Sequence, residues 1–341
     1  MAETKITNVV VPEVYTDYAI ERSIYHSSLY KSGIIVRDPL LDENLRGGAR
    51  MFTNPFWKDL INPSQMDEVP DETNAVGTDN IEASEFVVRR QMRVKKWGAN
   101  DLSAILAGED PMDAIQSMVE NFWNKAMQHV LFSTVRGVIA DNFVTNNGDM
   151  LLDLTGEAVE ADRKINAEAI IKAIFKMGDK FQEITALSMH SVPYSKLVKD
   201  NLIDFTPDNE QNIGFGTYMG KTVVLDDDQT MTLETIGGTP NTPVYWTTLY
   251  KRGAFGYGES AERYLMTEID RDPDKGGGID FLHSRRVFAM HPAGFNWKEG
   301  GASPALTGQF PNNTELATAA HWGRAFSSVK NVGFVVLKSL G

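Results

Sequence analysis

The groups able to do chemistry in this 341-residue chain are six histidines and 46 carboxylates, with no cysteine at all. Disulfides, thiolate metal sites and thiol nucleophiles are therefore excluded. The histidines are His26, His129, His190, His283, His291 and His321, and no two stand four residues apart as a helical metal pair would. His283 and His291 flank a predicted strand with Asp280 nearby, so a zinc site there is the one metal alternative. Asp270, Asp272 and Asp274 alternate like the start of a calcium loop. Lys275 stands where that loop needs glycine, however, and Phe281 where it needs a bidentate glutamate, so a solvated turn is the plainer reading. GFGTYMGK (214–221) is one residue too short for a phosphate loop and leads into a strand, not a helix, so it reads as a tight turn. GESAE (258–262) lacks the second glycine of a nucleophile elbow. Ser-x-x-Lys occurs twice, at Ser28/Lys31 and Ser327/Lys330, which shows how little it specifies. No constellation meets the geometry of catalysis. The chain reads as a non-enzyme without a cofactor.

The strongest chemical pattern is charge. From Asp67 to Glu85 there are seven acidic residues and no basic one. The next stretch, FVVRRQMRVKKWGA (86–99), has five basic residues and no acidic one. Its β-branched, alternating character predicts a strand. Such a two-sided excursion either pairs its own limbs or meets other copies of the chain, with charge setting the register. Arg89, Arg90, Arg93, Lys95 and Lys96 are accordingly expected to contact acidic surfaces of adjacent copies, with Asp67, Glu68, Asp71 and Glu72 as the matching acids. Pairing within one hairpin is the alternative.

The elements that must carry this excursion can be read from periodicity. Residues 1–50 alternate short apolar clusters with turns and hold no self-contained core. Residues 110–142 predict one long helix, with Asp110 as N-cap, Pro111 at the first position and an apolar stripe from Ile115 to Ile139. Gly137 and the Asn146–Gly148 turn are expected to end it. A second helix is predicted over 166–183, capped by Asn166, and a short one from Ser191. Strands are predicted at 184–190, 222–228, 243–259 with an internal turn, 279–295 and 332–340, and a short helix near 313–321. Helices and strands mix without a βαβ rhythm, which gives an α+β class.

Length suggests about two domains. Hydrophobic residues make up 42% and charged residues 23%, enough for a folded core. The net charge of -13 argues against a general nucleic-acid binder or a protein that adheres to an anionic membrane. The N-terminal MAETKITNVVVPEVY lacks the pattern of a signal peptide, and no run of 18 apolar residues occurs.

Two stretches resemble a known family. VPEVYTDYAIERSIYHSSLYKSGIIVRDPLLDENLRGGARMFTNPFWKDL (11–60) carries Pro-Glu-Val, Glu-Arg, Ser-Gly-Ile, Gly-Gly and Pro-Phe-Trp in an order similar to the start of tailed-phage major capsid proteins of the major capsid protein 13-like group. The Tyr-Trp-Thr at 245–247, RGAFGYGE (252–259), ERYLMTEIDRD (262–272), SRRVFAMHPAGFNW (284–297) and NNTELATAAHWGRAF (312–326) resemble the same group's later half. The resemblance implies a Hong Kong 97-type fold. It would place the N-terminal arm at 1–50 and the extended E-loop at 51–100. The peripheral domain with its spine helix would span 101–165, the axial domain 166–278, and the return to the peripheral domain 279–341. It also implies hexamers and pentamers closing an icosahedral shell around packaged double-stranded DNA, bound without sequence specificity. The implied partners are a portal and scaffolding, decoration or cement proteins. The implied location is the virion, after assembly in the host cytoplasm. An encapsulin-like compartment or a metal-dependent hydrolase would be the alternatives.

Overall fold

In the computed structural model, residues 32–58, 81–102, 105, 111–200, 202–205, 216–260, 267–274, 277–326 and 328–341 are described. The chain order begins β1 (Ile35–Arg37), α1 (Pro39–Arg46), β2 (Met51–Trp57), β3 (Ala83–Arg89), β4 (Gln91–Asn100), α2 (Pro111–Thr145), β5 (Leu151–Asp153), α3 (Ala167–Phe175), β6 (Ile184–Met189) and α4 (Ser191–Lys199). It continues with β7 (Asp204–Phe205), β8 (Gly216–Tyr218), β9 (Lys221–Leu225), β10 (Met231–Ile236), β11 (Thr239–Lys251), β12 (Phe255–Glu259) and β13 (Thr267–Asp272). It closes with β14 (Ile279–Pro292), β15 (Phe295–Trp297), α5 (Asn313–Leu316), β16 (Trp322–Arg324) and β17 (Phe334–Leu340). The α+β class read from the pattern is the one observed.

The long helix forms as its sequence dictates and then runs on. Pro111 opens it where a missing N–H costs nothing, and Asp113 sits in the first turn against the positive dipole end. The expected cap, Asp110, lies outside the described residues. The helix does not end at Gly137 but continues to Thr145, a length of ~52 Å for its 35 residues. Gly137 serves packing instead. A Cβ there would overlap the Leu316 carbonyl oxygen and lie 2.6 Å from Trp322 Nε1. Termination falls to the predicted turn, where Asn147 (φ 54°) and Gly148 (φ 66°) take left-handed conformations and Gly148 N–H donates to Asn142 O at 3.1 Å.

Two sheets flank α2. In the five-stranded sheet, β14 is central: β4 pairs with one edge, and β12 and β13 share the other end to end, with β1 parallel to β12. The eight-stranded sheet runs β5-β17-β11-β6-β9-β8-β7, with β10 also on β11. The predicted 243–259 unit is therefore not a hairpin. Its strands β11 and β12 enter different sheets through a turn at Gly253 (φ 69°). Sheet membership also crosses the 278/279 boundary expected from the sequence, because β12 and β13 join β14 while β17 joins β11. One apolar core spans both sheets, with Trp123, Leu131, Val138, Leu249, Phe255, Phe288 and Phe334 fully buried.

Local expectations elsewhere hold at the caps. Asn166 Oδ1 accepts from Ala169 N–H at 2.7 Å, as predicted, but α3 stops at Phe175 and the chain passes through a 3-10 turn from Gly178 (φ 59°). Residues 216–221 form the tight turn expected: β8 meets β9 through Met219 (φ 51°) and Gly220 (φ 74°), the two left-handed residues of a two-residue hairpin. Among the described residues, no helix is long and apolar enough to cross a membrane.

Candidate functional site

The basic stretch is two strands, not one. It breaks at Arg90. Before the break, β3 pairs with β2 in a separate two-stranded ladder from Met51↔Arg89 to Trp57↔Ala83. After it, β4 lies along β14 for ten residues, from Phe288↔Gln91 to Ile279↔Asn100. The excursion is thus the β2–β3 hairpin, and β4 belongs to the body.

The hairpin is seated by its inner face. Phe56 stacks on Phe86 at 4.2 Å, and Phe326 meets both rings edge-on at 5.4 and 5.3 Å. Val87 N–H donates to Asn296 Oδ1 at 3.0 Å. A small cluster of Leu41, Leu45, Val88 and Ala289, with Phe52 against it, joins α1 and the hairpin root to β14. At the far end of the described ladder, Lys58 pairs with Glu82 at 2.7 Å. On the opposite face Trp57 is 67% exposed beside Pro55, Thr53 and Glu85, while Met51 sits nearer the root across from the buried Arg89. A two-stranded ribbon with one such face is marginal alone in water.

Three of the five basic residues brace this root from within the chain, so the five do not form one contact patch. Arg89 is 3% exposed. Its Nε pairs with Glu299, Nη1 donates to Arg50 O at 2.9 Å, and Nη2 to Gln309 O at 2.8 Å. Glu299 also accepts from Trp297 Nε1 at 2.9 Å. Arg90 donates through Nη2 to Leu45 O in the last turn of α1, where a cation suits the dipole. Arg93 donates to Pro311 O at 2.7 Å and Asn313 Oδ1 at 3.0 Å. Burial holds its guanidinium below the usual arginine range. The physical reason is geometric. The forks of Arg89 and Arg93 each hold several acceptors at once, Glu299, Arg50 O and Gln309 O for the one and Pro311 O with Asn313 Oδ1 for the other, which a lysine cannot do.

Lys95 and Lys96 remain exposed. Neighbours in a strand point to opposite faces, so the two would reach different groups. Lys96 Nζ sits 3.6 Å over the Phe281 ring, which in turn covers Gly98. The proposed acid partners Asp67, Glu68, Asp71 and Glu72 lie outside the described residues.

The metal alternative does not assemble. His283 and His291 are eight residues apart on β14, ~27 Å along a strand, and Asp280 is paired with Arg271 at 3.1 Å. Arg271 also holds Asp101. In the Asp270–Asp274 stretch, Asp272 Oδ1 accepts from Asp274 N–H at 3.1 Å, the solvated turn expected. His291 is buried and donates Nε2–H to Phe295 O at 2.7 Å. Burial pushes it down to about 4 from its ordinary 6.5. Unfolded, the ring takes a proton below 6.5; folded, only below about 4. Stability conferred by the neutral ring is therefore complete above pH 6.5 and falls as pH drops toward 4, by up to ~3 kcal/mol. Urea unfolding at pH 7 and pH 4.5 should show this loss in the native chain and not in His291→Gln, whose amide keeps the Phe295 bond. Equal pH slopes in the two chains would contradict the assignment.

Two features of the site escaped the sequence reading. One is the close approach at Gly137. The other is Asp141, 4% exposed on α2 at the hairpin root, with burial raising its carboxyl above the usual range. Its signal was an acid two residues after Ile139, within the buried stripe.

A family model described as major capsid protein 13-like matches residues 40–336. The chain is 34% identical over 332 residues to the major capsid protein of Bacillus phage SPP1, covering 97% of this chain and 96% of that one. Among solved structures, the capsid of Ralstonia phage GP4 is similar at a TM-score of 0.61 and 9% identity, over 97% of this chain and 96% of the other. The Cyanophage Pam1 capsid asymmetric unit is similar at 0.59 and 10% identity, over 100% and 99%. At such identities the likeness is one of fold.

Proposed function

The chain belongs to the major capsid protein 13-like family of tailed-phage shell subunits, with the Hong Kong 97-type fold, and from that premise we propose how its copies meet. It is a structural protein of the virion shell, made by self-association into an icosahedral assembly. Hexamers and pentamers form where the β2–β3 hairpin, continued by residues 59–80, overlaps the neighbouring copy. The observation that carries this reading is the seating of the hairpin: the Phe56–Phe86–Phe326 cluster holds its inner face, Arg89 anchors its root from the opposite face across from Met51, and Trp57, farther along that opposite face, stays exposed. The uncovered Trp57 is the part of the ribbon that a partner surface would cover.

The five-stranded sheet with α2 corresponds to the peripheral domain in this reading, and the eight-stranded sheet to the axial domain. Residues 1–50 remain the arm and 51–100 the E-loop with its root strand. The net charge of -13 suits a wall that encloses duplex DNA without gripping it. A portal, scaffolding and cement proteins are the further partners, assembly takes place in the host cytoplasm, and no catalysis is assigned.

Of the basic set, Lys95 and Lys96 are the ones exposed for neighbours, with Asp67, Glu68, Asp71 and Glu72 of adjacent copies as their partners. Lys95→Glu and Lys96→Glu together should leave the subunit's unfolding midpoint within ~0.5 kcal/mol of the parent, as surface changes do. The yield of closed particles in sedimentation should nevertheless drop sharply. Undiminished particle yield would remove these lysines from the interface.

A further inference from the structure

In the eight-stranded sheet, β10 has an uncovered edge. It pairs with β11 from Met231↔Tyr245 to Ile236↔Thr239 and, among the described residues, with no other strand. The ladder fixes which way its peptide groups point. Trp246 N–H donates to Thr230 O at 2.7 Å, so Thr230 is a hydrogen-bonded position. Bonded and open positions alternate along an antiparallel pair, which makes Leu233 open. Its partner agrees: Leu233 stands opposite Pro243, which has no N–H to give. The N–H and C=O of Leu233 therefore face away from β11. Arg136 Nη2 approaches Met231 O, the preceding open position, at 3.4 Å. The Leu233 side chain is itself 60% exposed.

The two edges of this ribbon differ. β17 ends at Leu340↔Val244, so residues 239–243 of β11 also lack a described neighbour on their far side. That edge carries Pro240, Pro243 and the left-handed Asn241 (φ 57°), features that block strand addition. β10 (MTLETI) has no proline, and its one charge is already paired: Glu234 Oε1 accepts from Lys338 and from Thr232 Oγ1, each at 2.9 Å. A second β10 fits this edge by symmetry. Turned about a two-fold axis at Leu233, the two strands run antiparallel, and each Leu233 offers one N–H and one C=O to its mate. The two leucine side chains then lie on one face and cover each other, while Glu234 stands opposite the mate's Thr232. The edge strand β13 fits less well. Placed antiparallel with Ile269 opposite Leu233, it would set Glu268 against Glu234 as like charges.

We propose that β10 is a strand-addition edge through which two copies of the chain join about a two-fold axis, Leu233 against Leu233. The contact lies in a different sheet from the β2–β3 hairpin. It needs two copies and no ring, so it stands or falls apart from the shell reading.

The chain has no cysteine, so Leu233→Cys in the full chain supplies a single thiol. Opposed Cα atoms ~5.5 Å apart suit a disulfide. Under mild oxidation of the purified, unassembled protein, Leu233→Cys should form a linked dimer at least about tenfold faster than Leu225→Cys, which is 47% exposed at the end of β9. Thr235→Cys should also lag, because in this register its mate lies ~13 Å away along the strands. Leu233→Pro removes no bond of the β10–β11 ladder, so it should keep the parent's thermal midpoint and lower the dimer fraction in sedimentation velocity at least about fivefold. Should that variant lose its fold, the cysteine rates alone decide. Equal linkage rates at positions 233 and 225, faster linkage at 235 than at 233, or a folded Leu233→Pro with an unchanged dimer fraction would each overturn the proposal.

Discussion

Arg89→Ala should destabilise the isolated subunit by ~3 kcal/mol and loosen the hairpin first. The change strands Glu299, which is 22% exposed, and leaves the carbonyls of Arg50 and Gln309 without their donors. Breaking a buried pair from one side costs ~3–5 kcal/mol, and the partial exposure of Glu299 places this case at the lower end. Arg89→Lys should recover only part, because a single ammonium cannot reach three acceptors in fork geometry. Denaturant unfolding gives the magnitude, and hydrogen exchange gives the place. Protection should fall at the β2–β3 amides before it falls at β11 or β17. A loss below ~0.5 kcal/mol would mean that Arg89 is a surface residue awaiting a neighbour, as its charge alone suggests.

The second large effect is expected at Gly137. Alanine is the better helix former by ~1 kcal/mol, so on propensity Gly137→Ala should stabilise a helix interior. Packing reverses the sign. The new methyl would overlap the Leu316 carbonyl oxygen, which also accepts the Trp322 indole N–H at 2.7 Å, and neither a backbone carbonyl nor a buried tryptophan can turn aside. Overpacking of this kind costs ~1–3 kcal/mol or more. The net expectation is a loss of ~2 kcal/mol or more, with a changed near-ultraviolet signal from Trp322. Gly156→Ala is the control, since nothing lies within 4 Å of its would-be Cβ. Stabilisation by Gly137→Ala would show that α2 does not pack as closely as drawn on α5 and β16.

These two residues mark where the sequence stops being legible. Local rules sufficed for what is local. The apolar stripe found α2, the Asn166 side chain found the start of α3, and the glycines of 214–221 found the turn before β9, though not the short strand β8 within that stretch. Arg89, Arg90 and Arg93 were visible as a charge run, but a run does not say which way a fork points. Their acceptors lie up to 220 residues away, and most of them are backbone carbonyls, which leave no trace in residue type. The break at Arg90 was hidden for a similar reason: β3 and β4 have the same character and differ only in partner, one pairing at 51–57 and the other at 279–288. Gly137 read as a terminator because glycine usually is one near a helix end. The aromatic indole it admits stands 185 positions later. The family resemblance reached further than periodicity, since the order of short motifs along the chain carries topology that no single window holds.

The central claim is that the chain stands ready for sister copies and closes a shell with them. Electron microscopy of particles purified from cells producing the chain with its accompanying virion proteins tests it most directly. The account predicts closed icosahedral shells with six-fold and five-fold clusters, each hairpin lying over an adjacent subunit and Trp57 covered by it. A monodisperse, folded single subunit that never forms a cage, with Trp57 resting on its own body, would contradict it.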